Sequence, residues 1–249
     1  MPRDDPYHEF AQRYDLFFDA HEEHGMAESQ FFHRVFTDRA VETVLDCACG
    51  SARDLHILSN LGYRPCGSDI SAAMLEQARV NRAHLDPRLP LARADFRFLP
   101  FRSGGFDAVI CLRTSLPHMR DKDEALTALQ SMRGVIRPGG VLVLSQGITD
   151  KLMQEQPRFI LEANTPEFSR IMALDYLAHR VRISVLDVFH TREQGDLKVA
   201  SFEYLCLLAD DYRQLLLQAG FGGSDFYGSW SMEAYDEATS PQLIVVATA

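Results

Sequence analysis

The chain has 249 residues, of which 46% are hydrophobic and 24% charged, and its formal net charge is -10. This length and composition suit one large α/β domain, with or without a small accessory layer, and support a sizeable core. No run of about 18 uncharged apolar residues is present, so the sequence indicates no membrane span. A negatively charged chain without a Lys/Arg-rich tract is repelled by a phosphate backbone, so we expect no nucleic-acid partner.

The N-terminus and the cysteines indicate the cellular setting. No apolar run of the signal-peptide kind follows Met1, which predicts a cytoplasmic protein. The five cysteines are odd in number, which argues against a disulfide framework. Cys47 and Cys49 have CxC spacing, but Cys47 ends an apolar run and no His/Cys pair follows at zinc-site spacing. We interpret both as small buried residues and predict no metal site.

Hydrophobic periodicity predicts helical structure over residues 10–36 and an alternation of strands and helices after them. Predicted strands cover residues 41–47, 63–68, 91–95, 106–112 and 140–145, and predicted helices cover 53–61, 72–82 and 124–136. Ser71 stands where the second of these helices needs its N-cap. Strands that alternate with helices form βαβ units, which predicts a parallel sheet with ligands at the carboxyl ends of its strands.

The pattern changes after Gln156. Residues 180–190 and 198–208 alternate like strands and are separated by a polar stretch, which predicts an antiparallel pair with a turn at Gly195. A predicted helix over 210–219 and a final strand pair over 221–227 and 242–248 complete the chain.

A loop of small residues follows the first predicted strand and reads Asp46-Cys47-Ala48-Cys49-Gly50-Ser51-Ala52. Small residues let the backbone approach a ligand closely, and free N–H groups at the start of the next helix favour an anionic group. The loop lacks the GxGxxG pattern of dinucleotide-binding enzymes. By itself it fits either a ligand-binding loop or a tight strand–helix turn that binds nothing.

Acidic residues end the next two predicted strands. Asp69 lies about twenty residues beyond the loop, where a carboxylate can accept both hydroxyls of a ribose. The alternative is that Asp69 only caps a helix, although Ser71 already serves that purpose. Asp95 ends the third strand, where its carboxylate is placed to accept from an adenine amino group. Aspartate is common at strand ends, so Asp95 alone carries little weight.

In combination, these segments resemble the class I S-adenosylmethionine-dependent methyltransferases. The segments are Ala-x-Gly-x-Ala after Asp46, Gly67-Ser68-Asp69-Ile70-Ser71-x-x-Met74, Ala94-Asp95-Phe96, Phe106-Asp107-Ala108-Val109-Ile110 and Arg137-Pro138-Gly139-Gly140. The likeness covers residues 40–147 closely and 221–248 more loosely. Within the class, the segment from Val109 to His118 is similar to the glycine and sarcosine N-methyltransferase branch, which reads Cys-Leu-Gly-Asn-Ser-Phe-x-His there.

The resemblance implies a Rossmann-like seven-stranded sheet with helices on both faces, an N-terminal helical lid and an inserted antiparallel strand pair. The predicted boundaries are 1–40 for the lid, 41–150 for the cofactor-binding core, 151–210 for the inserted, substrate-covering segment and 211–249 for the closing helix and strand pair. The implied activity is methyl transfer from S-adenosylmethionine to a nitrogen or oxygen nucleophile of a small molecule. The oligomeric state stays open, with a homo-oligomer as one option.

The resemblance also implies the cofactor-binding residues, which are Tyr14, Asp46, Ala48, Gly50, Asp69, Ile70, Met74, Asp95, Phe96, Cys111 and Leu112. In this interpretation the loop residues line the methionine part of the cofactor, and Asp69 holds the ribose. Ile70 and Met74 flank the adenine, while Asp95 and the Phe96 backbone contact its edge. The backbone at Cys111 and Leu112 faces the methionine amine, and Tyr14 closes over the site.

The sequence departs from the family pattern at positions that bear on the acceptor. Ala48 and Ala52 replace the first and last glycines of the family loop. Gly147 replaces the arginine that grips the substrate carboxylate in the glycine-methylating branch, and Thr114 replaces an asparagine. We therefore expect an acceptor other than glycine. Arg113 and Arg158 are the candidates for a displaced cation.

His118 is the candidate catalytic residue, as a base or as a group that orients the acceptor, because it follows the fourth strand and its ordinary pKa suits proton transfer. The alternative is a structural or helix-capping histidine. Two other classes of function remain open. One is a nicotinamide-dependent oxidoreductase, which the missing GxGxxG pattern disfavours, and the other is a non-catalytic protein that binds S-adenosylmethionine, which Ala52 slightly favours.

Overall fold

The computed structural model describes residues 5–16, 24–85, 88–190 and 196–249. In chain order the helices are α1 (Ala11–Tyr14), α2 (His24–Thr37), α3 (Arg53–Asn60), α4 (Ala72–Leu85), α5 (Lys122–Val135), α6 (Asp150–Glu155) and α7 (Ala209–Gln218). The strands are β1 (Thr43–Asp46), β2 (Arg64–Asp69), β3 (Leu91–Arg93), β4 (Phe106–Cys111), β5 (Ile136–Gln146), β6 (Phe159–Asn164), β7 (Phe168–Tyr176), β8 (Arg180–Phe189), β9 (Asp196–Leu205), β10 (Gly223–Tyr227) and β11 (Leu243–Thr248). Short 3-10 helices at Phe96–Phe98 and Leu116–His118 follow β3 and β4.

The first sheet has seven strands in the order β10-β11-β5-β4-β1-β2-β3, which confirms the predicted seven-stranded sheet. Strands β1 to β5 pair in parallel, and β11 runs antiparallel to both β5 and β10. Because β1 lies between β4 and β2, the loops that follow these strands are neighbours at one edge of the sheet. This edge carries the candidate site.

The sheet is covered by helices on both faces, as predicted. Successive side chains of a strand point to opposite faces, and Val44 and Leu45 are both fully buried. On one side Leu45 belongs to a core that contains Leu129 of α5 and residues of α7. On the other side Val44 packs in a core with Phe32 and Phe36 of α2. Burial on both faces explains why these strands are continuous apolar runs.

Local capping sets several element boundaries. The Oγ of Ser71 accepts from the backbone N–H of Met74 at 3.1 Å, which confirms the predicted N-cap of α4. Helix α5 begins at Lys122, two residues before the predicted start, because the Asp121 carboxylate accepts from the backbone N–H of Glu124 at 2.9 Å. In the part of the chain that the structure describes, no helix has the length and hydrophobicity to cross a bilayer.

The second sheet is antiparallel, has four strands in the order β6-β7-β8-β9, and lies within the predicted inserted segment. The predicted pair corresponds to β8 and β9, but β6 and β7 were not predicted, so the expectation of a single pair was incomplete. In β6 the apolar residues Phe159, Ile160 and Leu161 follow one another, so alternation does not mark the strand. The turn predicted at Gly195 lies outside the described residues.

The N-terminal segment, residues 5–16, joins the two sheets. Phe10 is buried against Val185 and Phe202 of the second sheet. Asp187, whose side chain is fully buried, accepts from both Arg13 and Arg170. Arg170 also donates through Nη2 to the backbone carbonyl of Arg13 at 2.7 Å. This buried ion cluster holds α1 against the second sheet, and the next residue along the chain, Tyr14, reaches the first.

Candidate functional site

The loop between β1 and α3 is held in a conformation that small residues permit. Gly50 has φ 51° and Ala52 has φ 71°, both in the left-handed region that favours glycine. A Cβ on Gly50 would lie 3.1 Å from Cε of Met74 and 3.7 Å from Cε1 of Tyr14. Ala48 is partly exposed and lines a small cavity beside Tyr14 and Leu112. The backbone at Gly50 is therefore a close-approach surface enclosed by two side chains.

Two carboxylates support this loop, Asp46 buried and Asp69 half-buried. Asp46, at the end of β1, accepts from the backbone N–H of Ala48 at 3.2 Å. Asp69, at the end of β2, accepts from the N–H of Gly50 at 2.9 Å and from the N–H of Ser71 at 2.8 Å. Burial raises the pKa of both carboxyls, and the negative charge of Asp54 raises that of Asp46 further. Asp69 thus ties the tip of β2 to the loop after β1.

Asp95 and Phe96 follow β3 beside these groups. The Asp95 carboxylate accepts from the backbone N–H of Arg97 at 2.9 Å and forms an ion pair with its guanidinium at 2.6 Å. The Phe96 side chain packs against the core, so its backbone is the part that faces the site edge. Ile70 is 56% exposed after the tip of β2, whereas Met74 is buried. One exposed and one buried apolar side chain thus follow Asp69 within five residues.

The backbone changes direction after β4. Cys111 and Leu112 are buried at the end of the strand, and Arg113 and Thr114 then adopt φ of 54° and 64°. Left-handed backbone is costly for residues with a side chain, so two in succession store strain at this turn. The turn places the Arg113 side chain over the loop after β1.

Arg113 belongs to an ion network rather than to an open acceptor subsite. Its guanidinium pairs with Asp54 and, at 2.9 Å, with Glu28, and Arg53 pairs with Glu28 at 2.7 Å. The other candidate for a displaced cation, Arg158, pairs with Asp175 at 2.5 Å, and its side chain is 65% exposed. Both candidate arginines are therefore engaged in ion pairs with carboxylates of this chain.

His118 lies at the centre of an aromatic cluster formed by three parts of the chain. Its Nε2 is 2.8 Å from the Tyr7 hydroxyl, and its ring lies 4.6 Å from that of Tyr204 between centroids. Phe202 contacts both the Tyr7 and His118 rings. Burial, together with the positive charge of Arg180, lowers the pKa of His118 to about 4. The imidazole is neutral at physiological pH, and because burial raises the pKa of Tyr7, its hydroxyl keeps its proton and is hydrogen-bonded to Nε2.

A groove of about 530 Å³ opens beside this cluster, and its lining residues include Pro6, His118, Arg180, Phe202 and Glu203. Its volume falls within the ~300–1,000 Å³ typical of pockets for drug-sized ligands. On the other side of the N-terminal segment, the cavity between Tyr14, Ala48 and Arg113 holds only about 10 Å³, room for one water at most. Burial raises the pKa of Tyr14 to about 12, so this hydroxyl is neutral.

The structure brings the sequence-predicted residues together along one edge of the sheet, at the carboxyl ends of four adjacent strands. Sequence reasoning missed Tyr7, Phe202 and Tyr204, which complete the His118 cluster. Tyr7 has a sequence signal, since Tyr7, Phe10 and Tyr14 repeat at the i, i+3, i+7 spacing of one helix face. For Tyr204 the sequence shows only the alternation of apolar and polar residues along β9. This alternation predicts a strand but not which part of the chain packs against it.

The donor set suits an adenosyl ligand. It offers a glycine surface that a Cβ would fill, a half-buried carboxylate at the tip of β2, and the apolar side chains of Ile70 and Met74 just after it. Within the described residues, no three His, Cys, Asp or Glu side chains group to hold a metal ion. Cys47 and Cys49 are buried free thiols, as interpreted from the sequence.

Comparisons with known proteins agree with this geometry. Residues 44–140 match a family model described as a methyltransferase domain. The glycine/sarcosine N-methyltransferase of Parasynechococcus marenigrum is 32% identical over 147 residues, which cover 59% of this chain and 52% of the relative. The chain thus spans about half the length of this relative.

Solved structures share the fold over nearly the whole chain. An S-adenosylmethionine-dependent methyltransferase from Clostridium acetobutylicum superposes with a TM-score of 0.80 at 16% identity, covering 97% of this chain and 98% of that one. The sugar N-methyltransferase KedS8 from a Streptoalloteichus species gives 0.71 at 21% identity, covering 94% and 92%. At these identities the likeness is one of fold.

The sheet order, the loop after β1 and the matched region together define the class: residues 44–140 match a methyltransferase domain, and the chain shares the fold of S-adenosylmethionine-dependent methyltransferases. S-adenosylmethionine is accordingly its cofactor. In sequence it is similar to glycine/sarcosine N-methyltransferases, and in fold to methyltransferases that include a sugar N-methyltransferase.

Proposed function

We propose that the chain transfers a methyl group from S-adenosylmethionine to an amine nitrogen of a small molecule that occupies the groove beside His118. The observation that carries the proposal is the position of His118. It is a neutral imidazole between the strand tips of the cofactor site and a groove of about 530 Å³. Nitrogen is favoured over oxygen because the similar proteins are named as N-methyltransferases.

The proposed cofactor contacts follow the strand tips. Asp69 would hold the ribose, the backbone at Ala48 and Gly50 the methionine part, and the backbone at Cys111 and Leu112 the methionine amine. Ile70 and Met74 would flank the adenine, with Asp95 and the Phe96 backbone at its edge. Asp46 supports the loop through Ala48. The cofactor, when bound, supplies a methyl group on a sulfonium leaving group, so the protein has only to place the acceptor in line and exclude water.

The N-terminal segment would act as a lid. Tyr14 lies against the loop at Gly50 and leaves space for one water at most, so the cofactor can enter only when Tyr14 moves outward. After entry, the segment can close again through Phe10 and the Arg13–Asp187 pair. Closure would bring Tyr7 back to His118 and shield the transferring methyl group from water.

The Tyr7–His118 pair is suited to a neutral amine acceptor. Bond formation from the amine nitrogen to the methyl carbon would break the bond from sulfur to that carbon and leave the nitrogen positively charged. With the Tyr7 hydroxyl hydrogen-bonded to His118, its oxygen would accept from the amine N–H and orient it. Because the pKa of His118 is lowered to about 4, the released proton would go to water in the groove and not remain on the imidazole. His118 would therefore orient the acceptor through Tyr7.

Glycine is the second candidate acceptor, because the similar P. marenigrum protein is named for it. Three observations favour a larger amine. The groove is far larger than glycine needs. Gly147 stands where the carboxylate-gripping arginine is expected, and Arg113 and Arg158 are engaged in ion pairs elsewhere.

The test is a transfer assay with methyl-labelled S-adenosylmethionine and a panel of acceptors: glycine, sarcosine, an amino sugar, an aromatic amine and a phenol. We expect label on an amine larger than glycine, with kcat/KM for glycine at least about tenfold lower, a difference of about 1.4 kcal/mol. Glycine as the best acceptor would reject the proposed acceptor class. Cofactor binding without transfer to any acceptor would identify a non-catalytic binding protein.

His118→Gln should lower kcat at least about tenfold and leave cofactor affinity unchanged, because the residue faces the acceptor and not the cofactor.

Since burial lowers the pKa of His118 to about 4, protonation is disfavoured in the folded state. Once protonation of the acceptor amine itself is corrected for, the wild-type kcat should therefore stay flat from neutral pH downward and fall only as the pH approaches 4. Steady-state kinetics against pH measure both effects. His179→Gln, at an exposed histidine, is the matched control. An inflection near pH 6.5, or an unchanged kcat in His118→Gln, would contradict this role.

A further inference from the structure

The outward side of the second sheet is apolar. Leu161, Ile171, Leu186 and Val199 stand side by side in one row across β6, β7, β8 and β9. Phe159 flanks this row on β6 and Leu197 flanks it on β9. Phe159 and Leu161 are 65% and 63% exposed, and Leu197 and Val199 are 53% and 51% exposed. We call this surface the outer face.

The fold does not need the outer face to be apolar. The opposite, inner face of the same sheet already has a core, in which Leu174, Val181 and Val185 are buried. In an antiparallel sheet with one buried face, the other face is normally polar. A continuous apolar patch across all four strands instead marks a surface that another molecule covers.

We propose that the outer face docks a second copy of this chain and forms a twofold-symmetric dimer, sheet against sheet. Charge permits a like partner at this face. The chain carries a net charge of -10, so copies repel over most of their surfaces. The charged residues beside the outer face are balanced, because Arg182 pairs with Glu203 at 2.6 Å and Arg158 with Asp175 at 2.5 Å. A neutral apolar face is where two such chains can meet.

The dimensions also fit. Four strands about 4.8 Å apart span about 19 Å, and the ten residues of β8 span about 33 Å, which gives roughly 600 Å² of planar area per copy. The accessible area of a surface with side chains exceeds its planar area, so this approaches the ~800 Å² per partner of a standard stable interface.

The distribution of large and small side chains on the outer face suits a twofold axis parallel to the strands. Such an axis places β6 of one copy over β9 of the other without a shift along the strands, so Leu161 meets Val199 and the bulky Phe159 meets the small Ser201 of its own row. The row next to the apolar one contains Ala173, Ser184 and Ser201 across β7, β8 and β9, which lets the sheets approach closely. The inner face of β9 carries Phe202 and Tyr204, so a docked partner would also stiffen the wall of the His118 cluster.

Sedimentation velocity of the full chain tests the proposal. We expect wild type to sediment at twice its 28.2 kDa monomer mass at about 10 µM. The double variant Leu161→Lys/Val199→Lys should be monomeric, because it places four lysines in the interface. Leu217→Lys, at a 74% exposed leucine on α7, is the matched control and should remain dimeric. Far-UV circular dichroism establishes that the variants are folded.

Wild type alone gives a second measurement should the double variant fail to fold. Amide hydrogen exchange at residues 159–161 and 197–199 should slow as protein concentration rises, whereas exchange in α7 should not change. A monomeric wild type at this concentration, or a folded double variant that is as dimeric as wild type, would overturn the proposal. So would concentration-independent exchange combined with binding of the wild type to neutral phosphatidylcholine vesicles.

Discussion

Asp187→Asn is expected to lower the free energy of unfolding by about 3–5 kcal/mol, because it leaves two buried guanidinium groups without a counter-charge. Asp187 is fully buried, and the side chains of Arg170 and Arg13 are 4% and 13% exposed. The two cations belong to different parts of the chain, so the substitution also weakens the attachment of α1 to the second sheet. Urea or guanidinium denaturation monitored by circular dichroism measures the loss.

The comparison for Asp187→Asn is Asp210→Asn, which breaks the ion pair with Arg213 on the surface of α7. The Asp210 side chain is 80% exposed, so solvent screens the pair and the expected change is below about 1 kcal/mol. A loss below about 1 kcal/mol for Asp187→Asn would show that Arg13 and Arg170 find other partners or water. In that case the buried cluster would not be what holds the N-terminal segment.

The strand tips of the cofactor site could be predicted from sequence because the strands that carry them are buried on both faces. Runs such as Val109 and Ile110 in β4 are apolar without interruption, and their ends are marked by small or acidic residues. The Ser71 cap of α4 is a local interaction over three residues, which sequence also encodes directly. Local signals of this kind located Gly50, Asp69 and Asp95.

The His118 cluster could not be assembled from sequence, because its contacts are tertiary. Tyr7 and His118 are 111 residues apart in the chain, and only the packing of α1 between the sheets brings them together. Half of the second sheet was also missed, since Phe159 and Leu161 add apolar residues to an outward face that normally alternates with polar ones. That departure from alternation is the same feature from which we infer the dimer.

The backbone conformation at the position of the last family glycine could not be predicted from the sequence. Ala52 stands where the family loop ends in glycine, and the structure keeps left-handed backbone there, with φ 71°. Retaining this conformation with a side chain costs about 1 kcal/mol. Ala52 is buried, so its methyl group recovers some of that cost by packing beside Leu55 and Leu75. The loop therefore keeps its shape without the glycine.

Asp69→Ala should weaken binding of both S-adenosylmethionine and S-adenosylhomocysteine by at least about tenfold. A hydrogen bond to a charged carboxylate contributes about 1.5–3 kcal/mol, and 1.4 kcal/mol corresponds to tenfold in affinity. The variant also removes the acceptor for the N–H groups of Gly50 and Ser71, so the loop after β1 loses its attachment to β2. Titration calorimetry measures Kd for the two ligands.

Two further variants separate the role of Asp69 toward the ligand from its role in the loop. Asp69→Asn keeps one oxygen that can accept from Gly50 or Ser71 but loses the charge, so its Kd should lie between those of wild type and Asp69→Ala. Glu76→Ala, on α4, removes a carboxylate that is 73% exposed, and it should bind the cofactor like wild type. If Asp69→Ala remains folded and keeps the wild-type Kd for both ligands, the ribose does not lie at the tip of β2, and the arrangement of the cofactor across the four strand ends must be reversed or displaced.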